Sequence, residues 1–211
     1  MNAEQIRQPA ETRCAAELAA LRAHDRAPRP AGWQLSPRMV ETFILGSRDP
    51  VAGPDGQRVA ITPKFVGDRR LVQVAIATLA SDRALMLVGE PGVAKSWVSE
   101  HLAAAISGTS QLVVQGTAGT TEEQIKYSWN YALLIAEGPS RRALVESPVL
   151  RGMQRGLVVR LEELTRCAAE VQDALISVLS EKQVAIPELD EAVPARRGFA
   201  VIATANSATA A

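Results

Sequence analysis

From Ala84 to Glu100 the chain reads ALMLVGEPGVAKSWVSE, and few folds accommodate an apolar run, a glycine turn, a lysine and a helical pattern in unbroken succession. Leu85, Met86, Leu87 and Val88 suit a short strand covered on both faces, and Gly89 and Gly92 free the backbone for a tight turn. Lys95 and Ser96 follow at P-loop spacing. In such a loop the backbone N–H groups and helix N-terminus bind phosphate oxygens, the lysine reaches the β- and γ-phosphates, and the serine hydroxyl goes to magnesium. The run Gly89, Glu90, Pro91, Gly92, Val93, Ala94, Lys95, Ser96 and Trp97 is therefore the candidate nucleotide-binding segment. Ala94 stands where G-x-x-x-x-G-K-[ST] has its second glycine. We expect it in the right-handed region with its N–H still aimed at phosphate, because positive φ would strain an alanine. Taken alone, the stretch fits an ordinary strand-turn-helix corner equally well.

The 211 residues suffice for one α/β domain, or one domain with an arm. A formal net charge of +0, with 22% charged residues, gives no electrostatic footprint for nucleic acid or an anionic membrane. The longest apolar run, Leu71 to Ala80, is interrupted by Gln73 and falls short of the roughly 20 residues of a membrane span. Asn2, Glu4 and Gln5 give the N-terminus a polar start, so a cytoplasmic location is expected. Cys14 and Cys167 belong to no C-x-x-C pair and read as reduced packing thiols; His24 and His101 lack ligand spacing and read as surface or packing residues.

Cys14, Leu18 and Leu21 recur at helical spacing and predict one amphipathic helix over 11–25, ended by Pro28, Pro30 and Gly32. Ser36-Pro37 reads as an N-cap and first helical residue, with Met39, Val40, Phe43 and Ile44 as the apolar face and Gly46 as the stop. Asp55-Gly56 signals a hairpin. We divide the chain into an N-terminal helical arm and linker, 1–60, and a core, 61–211. Leu71 to Leu79 predict a helix leading into the glycine-loop strand, and the helix after Lys95 is expected to run to about Ile106. Leu112 to Val114 predict a second strand. Tyr127, Trp129, Tyr131, Leu133, Leu134 and Ile135 predict a long helix broken at Gly138-Pro139, with an irregular insertion over 144–150. A further helix carries Val171, Leu175, Val178 and Leu179, and Val184 to Pro187 read as a small hairpin arm.

Two more strands end on chemistry. Leu157 to Leu161 close on Glu162-Glu163, as in a Walker B strand, where the first carboxylate orients magnesium through its water shell and the second polarises the attacking water. The first acid is usually Asp, so Glu162 must sit further back. Phe199 to Ala203 lead to Asn206, which suits a group holding the lytic water or touching the γ-phosphate, although asparagine also commonly ends strands. Three strands in succession thus deliver a P-loop, paired acids and a polar sensor to the carboxyl edge of an open α/β sheet, where such sheets bind ligands.

GEPGVAKS, YSWNYALLIAEGPS, LEELTRCAAEVQDALISVLSEKQVAIPEL and VIATAN resemble the MoxR-like branch of the AAA+ ATPases, and the resemblance runs from about Ile61 to Asn206. It implies an αβα P-loop sandwich around a parallel sheet, ATP and Mg2+ as ligands, assembly into a homo-oligomeric ring, often a hexamer, and remodelling or maturation of a client protein. By position it assigns Gly89, Gly92, Lys95 and Ser96 to phosphate and magnesium, Glu162 to magnesium, Glu163 to the catalytic base and Asn206 to the sensor. It places Phe65-Val66-Gly67 at the adenine pocket and Tyr127–Tyr131 with Glu146–Arg151 in an insertion facing the pore or a client; core packing is the alternative for those aromatics. The family's fifth strand, helical lid, arginine finger and second sensor have no counterpart after Asn206, and Arg166 is not assigned the finger's role. We therefore expect a truncated product whose tail, SATAA, is foreign to the fold. Its P-loop strand would have an open apolar edge; if the chain is complete, weak nucleotide binding, poor ring assembly and little turnover are expected, since a finger arginine supplies roughly 10³ to 10⁵ in rate. The alternatives are a nucleotide-binding scaffold without hydrolysis, an inactive fragment, and a small-molecule P-loop kinase, which the paired acids disfavour.

Overall fold

The computed structural model describes residues 6–207; the polar N-terminal start and all but the first residue of the SATAA tail lie outside that range. The predicted first helix is two: α1 (Ala10–Arg13) and α2 (Ala15–His24), separated by Cys14, which leaves the helical region at φ −105°, ψ 21°. Helix α3 (Pro37–Leu45) starts as its sequence dictates, with the Ser36 hydroxyl accepting from the Met39 N–H and Pro37 at the first position, and ends at Gly46 with φ +81°. The Asp55-Gly56 turn joins β1 (Val51–Ala52) to β2 (Arg58–Val59), antiparallel. Asp68 then caps α4 (Arg69–Ala80).

The central sheet is built from β3 (Leu85–Gly89), β4 (Val113–Gln115), β7 (Val158–Glu162) and β10 (Ala200–Asn206), all parallel, in the order β3-β10-β7-β4. Alternation along the strands splits its two faces. Val158, Ala200 and Ile202 pack with α2 to α4 and α5 (Lys95–Ser107); Val159, Leu161, Val201 and Ala203 pack with α7 (Pro148–Arg155) and α8 (Ala169–Glu181). The result is a three-layer αβα sandwich. Helices α2 and α3 share a core cluster with the sheet through Leu18, Leu21, Val40, Phe43 and Ile44. No described helix is long and apolar enough to cross a membrane.

Strand β3 is not covered on both faces. Leu85 is buried and Leu87 packs beside it, whereas Met86 and Val88, which point to the opposite face, remain 48% and 60% exposed; the ladder partner of β3 among the described residues is β10. The long helix over 127–135 is also corrected. Tyr127–Trp129 form β5, paired antiparallel with β6 (Leu144–Glu146), and the helix α6 starts only at Tyr131 and runs to Glu137. Asn130 causes the break, since its side chain accepts from the Leu133 N–H and fixes the helix start there. The insertion over 144–150 is regular, β6 followed by the capped α7. Strands β8 (Gln183–Ile186) and β9 (Glu191–Pro194) form the expected hairpin.

Candidate nucleotide site

Register sets the site. Asn206 pairs with Gly89 and Gln115 with Glu162, so the ends of β3, β10, β7 and β4 reach one edge together. Beyond that edge lies a cavity of about 290 Å³, lined by Pro91, Gly92, Ala94, Lys95, Ser96 and Trp97 of the loop and by Glu163 and Asn206 of the neighbouring strands. Gly89, Glu90 and Val93 are not among its lining residues. The Glu90 carboxylate accepts from the Ser207 hydroxyl at 2.7 Å, and Val93 turns toward the apolar edge beside Met86 and Val88. Phe65 lines that same apolar groove.

Ala94 does not adopt the right-handed region. Its φ is +63° and ψ +23°, and Gly92 precedes it at φ +84°. Closing the loop onto the first turn of α5 demands a left-handed residue at this point, and the turn prevails over the alanine's preference at a cost of roughly 1–2 kcal/mol. Glu163 also lies in the left-handed region, φ +58°, which turns the chain sharply off β7.

The Lys95 ammonium uses its donors on the Gly89 and Glu90 carbonyls, each 2.8 Å away, and on Asn206 Oδ1 at 3.0 Å. Asn206 Nδ2 donates in turn to Glu163 Oε2 at 2.8 Å. One polar chain, Lys95–Asn206–Glu163, thus runs along the cavity wall. Glu162 stands behind Ser96 and is 4% exposed. Its Oε2 accepts from Ser96 Oγ at 2.5 Å and Thr204 Oγ1 at 2.7 Å; its Oε1 accepts from Ser99 Oγ at 2.6 Å and Arg160 Nη2 at 2.7 Å. Burial alone would raise its pKa, but the hydroxyls of Ser96, Ser99 and Thr204 and the Arg160 charge outweigh it and hold the carboxyl below the ordinary value.

Sequence reasoning missed Arg160, Ser99, Thr204 and Gly116, although spacing carried three of them. Arg160 precedes Glu162 by two residues on a strand, Thr204 precedes Asn206 by two, and Ser99 follows Ser96 by three on a helix, so each shares a face with a residue already singled out. Gly116 is a matter of contact: its N–H donates to the Glu162 carbonyl at 2.7 Å, and a Cβ there would lie 2.5 Å from the Glu163 carbonyl oxygen. Trp97 is 38% exposed, with the Arg13 guanidinium 4.6 Å from its ring centre and the His101 ring centre 4.4 Å away. His101 and Cys167 are buried, and both cysteines are free thiols.

Among the described residues no group of three or more His, Cys, Asp or Glu could hold a metal by itself. The oxygen donors Ser96 and Glu162 instead suit a hard cation that arrives on phosphates, the usual way Mg2+ is bound. The fold and this edge define a P-loop NTPase, and the chain belongs to the AAA domain family, dynein-related subfamily, whose model matches residues 84–210. It is 52% identical over 204 residues to Uncharacterized protein YehL of Escherichia coli (strain K12), a match covering 95% of this chain and 54% of that protein; the chain spans about half the length of this relative. A crystal structure from Cytophaga hutchinsonii ATCC 33406, described as a presumptive ATPase, superposes with a TM-score of 0.48 at 21% identity, over 70% of this chain and 41% of that one.

Proposed function

We propose that the chain binds ATP and hydrolyses it by in-line attack of water, as a MoxR-type member of the AAA+ ATPases. The observation that carries this reading is the polar chain from Lys95 through Asn206 to Glu163, opening on the P-loop cavity. Lys95 exchanges its loop carbonyls for the β- and γ-phosphate oxygens, while the N–H groups at the start of α5 meet the remaining phosphate charge. Glu163 takes the proton of the attacking water, and the Asn206 amide orients both carboxylate and water. Ser96 and Glu162 would hold Mg2+, which would supply positive charge to offset the negative charge developing on the phosphates. A cytoplasmic setting belongs to the same proposal. Ring assembly and remodelling of a client protein follow from the MoxR resemblance and belong to this proposal.

The test is ATP turnover and nucleotide affinity in wild type and Glu163→Gln. Turnover that disappears in the variant while nucleotide remains bound is the expected result. Binding without turnover in both forms would instead make the chain a nucleotide-holding scaffold, and no binding in either would overturn the reading.

A further inference from the structure

Glu162 has more donors around it than a magnesium ligand needs. Two oxygens offer about four lone-pair sites, and Ser96, Thr204, Ser99 and Arg160 fill all four. Of these donors only Ser96 also belongs to the loop and would turn its oxygen toward the cation. When it turns, one site on Oε2 opens and both sites on Oε1 stay filled. Arg160 is well placed to keep them so. Its Nε donates to Ser99 Oγ at 3.1 Å, Nη1 to the Ser110 carbonyl at 3.2 Å and Nη2 to the Ser96 carbonyl at 3.2 Å, and its side chain is 12% exposed. The guanidinium is therefore fixed to α5 and to the segment before β4 independently of Glu162, and its planar fork does not follow the carboxylate when the carboxylate moves.

We propose that Arg160 is a positioning residue for the magnesium end of the site: it pins Oε1 of Glu162 so that Oε2 alone faces the cation's water shell. This resolves the geometry of the longer acid. A glutamate carries one methylene more than the usual aspartate, and the lateral hold of Arg160 and Ser99 takes up that length. The inference rests on the ATP reading above.

The test uses the full chain and a fluorescent ATP analogue, titrated in EDTA and then with magnesium chloride, in wild type, Arg160→Gln and Arg160→Lys, each also in the Glu162→Gln background. Within each background, metal-free binding should not depend on which residue stands at position 160. The magnesium concentration for half-maximal enhancement should rise by roughly tenfold or more in Arg160→Gln, as for other groups that orient metal ligands, and by less in Arg160→Lys, which keeps the charge but loses the fork. In Glu162→Gln, replacing Arg160 should add nothing. Unchanged magnesium dependence, or an equal increment in both backgrounds, would overturn the proposal and leave the ATP reading standing; absence of binding by wild type would overturn both. If Arg160→Gln does not fold, Arg160→Lys with its Glu162→Gln partner decides the same question.

Discussion

At the scale of single residues, the site uses side chains that pay locally for their position. Ala94 holds φ +63° in a place glycine would occupy without strain. Replacing it relieves roughly 1–2 kcal/mol of left-handed strain and restores about 0.4–1 kcal/mol of unfolded-chain entropy, so Ala94→Gly should stabilise the protein by about 0.5–1 kcal/mol in urea unfolding. A midpoint at or below wild type would contradict the strain. Glu162 makes stability depend on acid. Its folded pKa lies below the ordinary 4.5, so its contribution is fully present above that value and is lost as pH falls through the lowered one. The stability difference between wild type and Glu162→Gln should thus be constant above about pH 5 and shrink below about pH 4.5, as followed by urea melts across pH. The identities of Lys95, Glu162, Glu163 and Asn206 as polar groups at strand ends were legible in the sequence. The backbone sign at Ala94 was not, because φ at a loop closure is set by where the chain must go next.

Elements carry these residues to one edge, and their spacing is what the sequence reports best. Apolar runs predict β3, β4, β7 and β10, and caps predict α3, because burial period and N-cap chemistry are local. Strand β5 was read as helix for the opposite reason: Tyr127 and Trp129 are held by pairing with Glu146 and Leu144, partners distant in sequence. The approach of β4 to the turn after β7 is equally non-local. Gly116 lets the backbones meet there, and Gly116→Ala would place a Cβ 2.5 Å from the Glu163 carbonyl and 2.8 Å from that of Glu162. The chain must back away, displacing Glu163 but not the P-loop. Turnover should fall by about tenfold to a hundredfold with nucleotide affinity retained; parallel losses of both, in kinetics and titration, would place the effect in the fold instead.

Over the whole molecule, the helices before residue 46 and the sheet are joined by one core. Phe43 is fully buried in the cluster that α3 shares with α2, α4 and α5, and Phe43→Ala should cost about 3–5 kcal/mol. The loss should occur in a single transition, with helical circular dichroism and tryptophan fluorescence changing together; a separate early step would show that residues 1–60 unfold as an independent arm. Amphipathic patterns disclosed which faces of these helices are buried but not against what. That is why an arm and a core could be drawn in sequence where the structure has a common cluster. The central claim is that the edge of this sheet is built around a triphosphate, and Lys95 is the residue on which it turns. Calorimetric titration of ATP into wild type and Lys95→Ala tests it most directly: we predict measurable binding by wild type and a loss of roughly tenfold to a hundredfold in the variant, the worth of charge-assisted hydrogen bonds to phosphate, whereas equal affinity in the two proteins would contradict the claim.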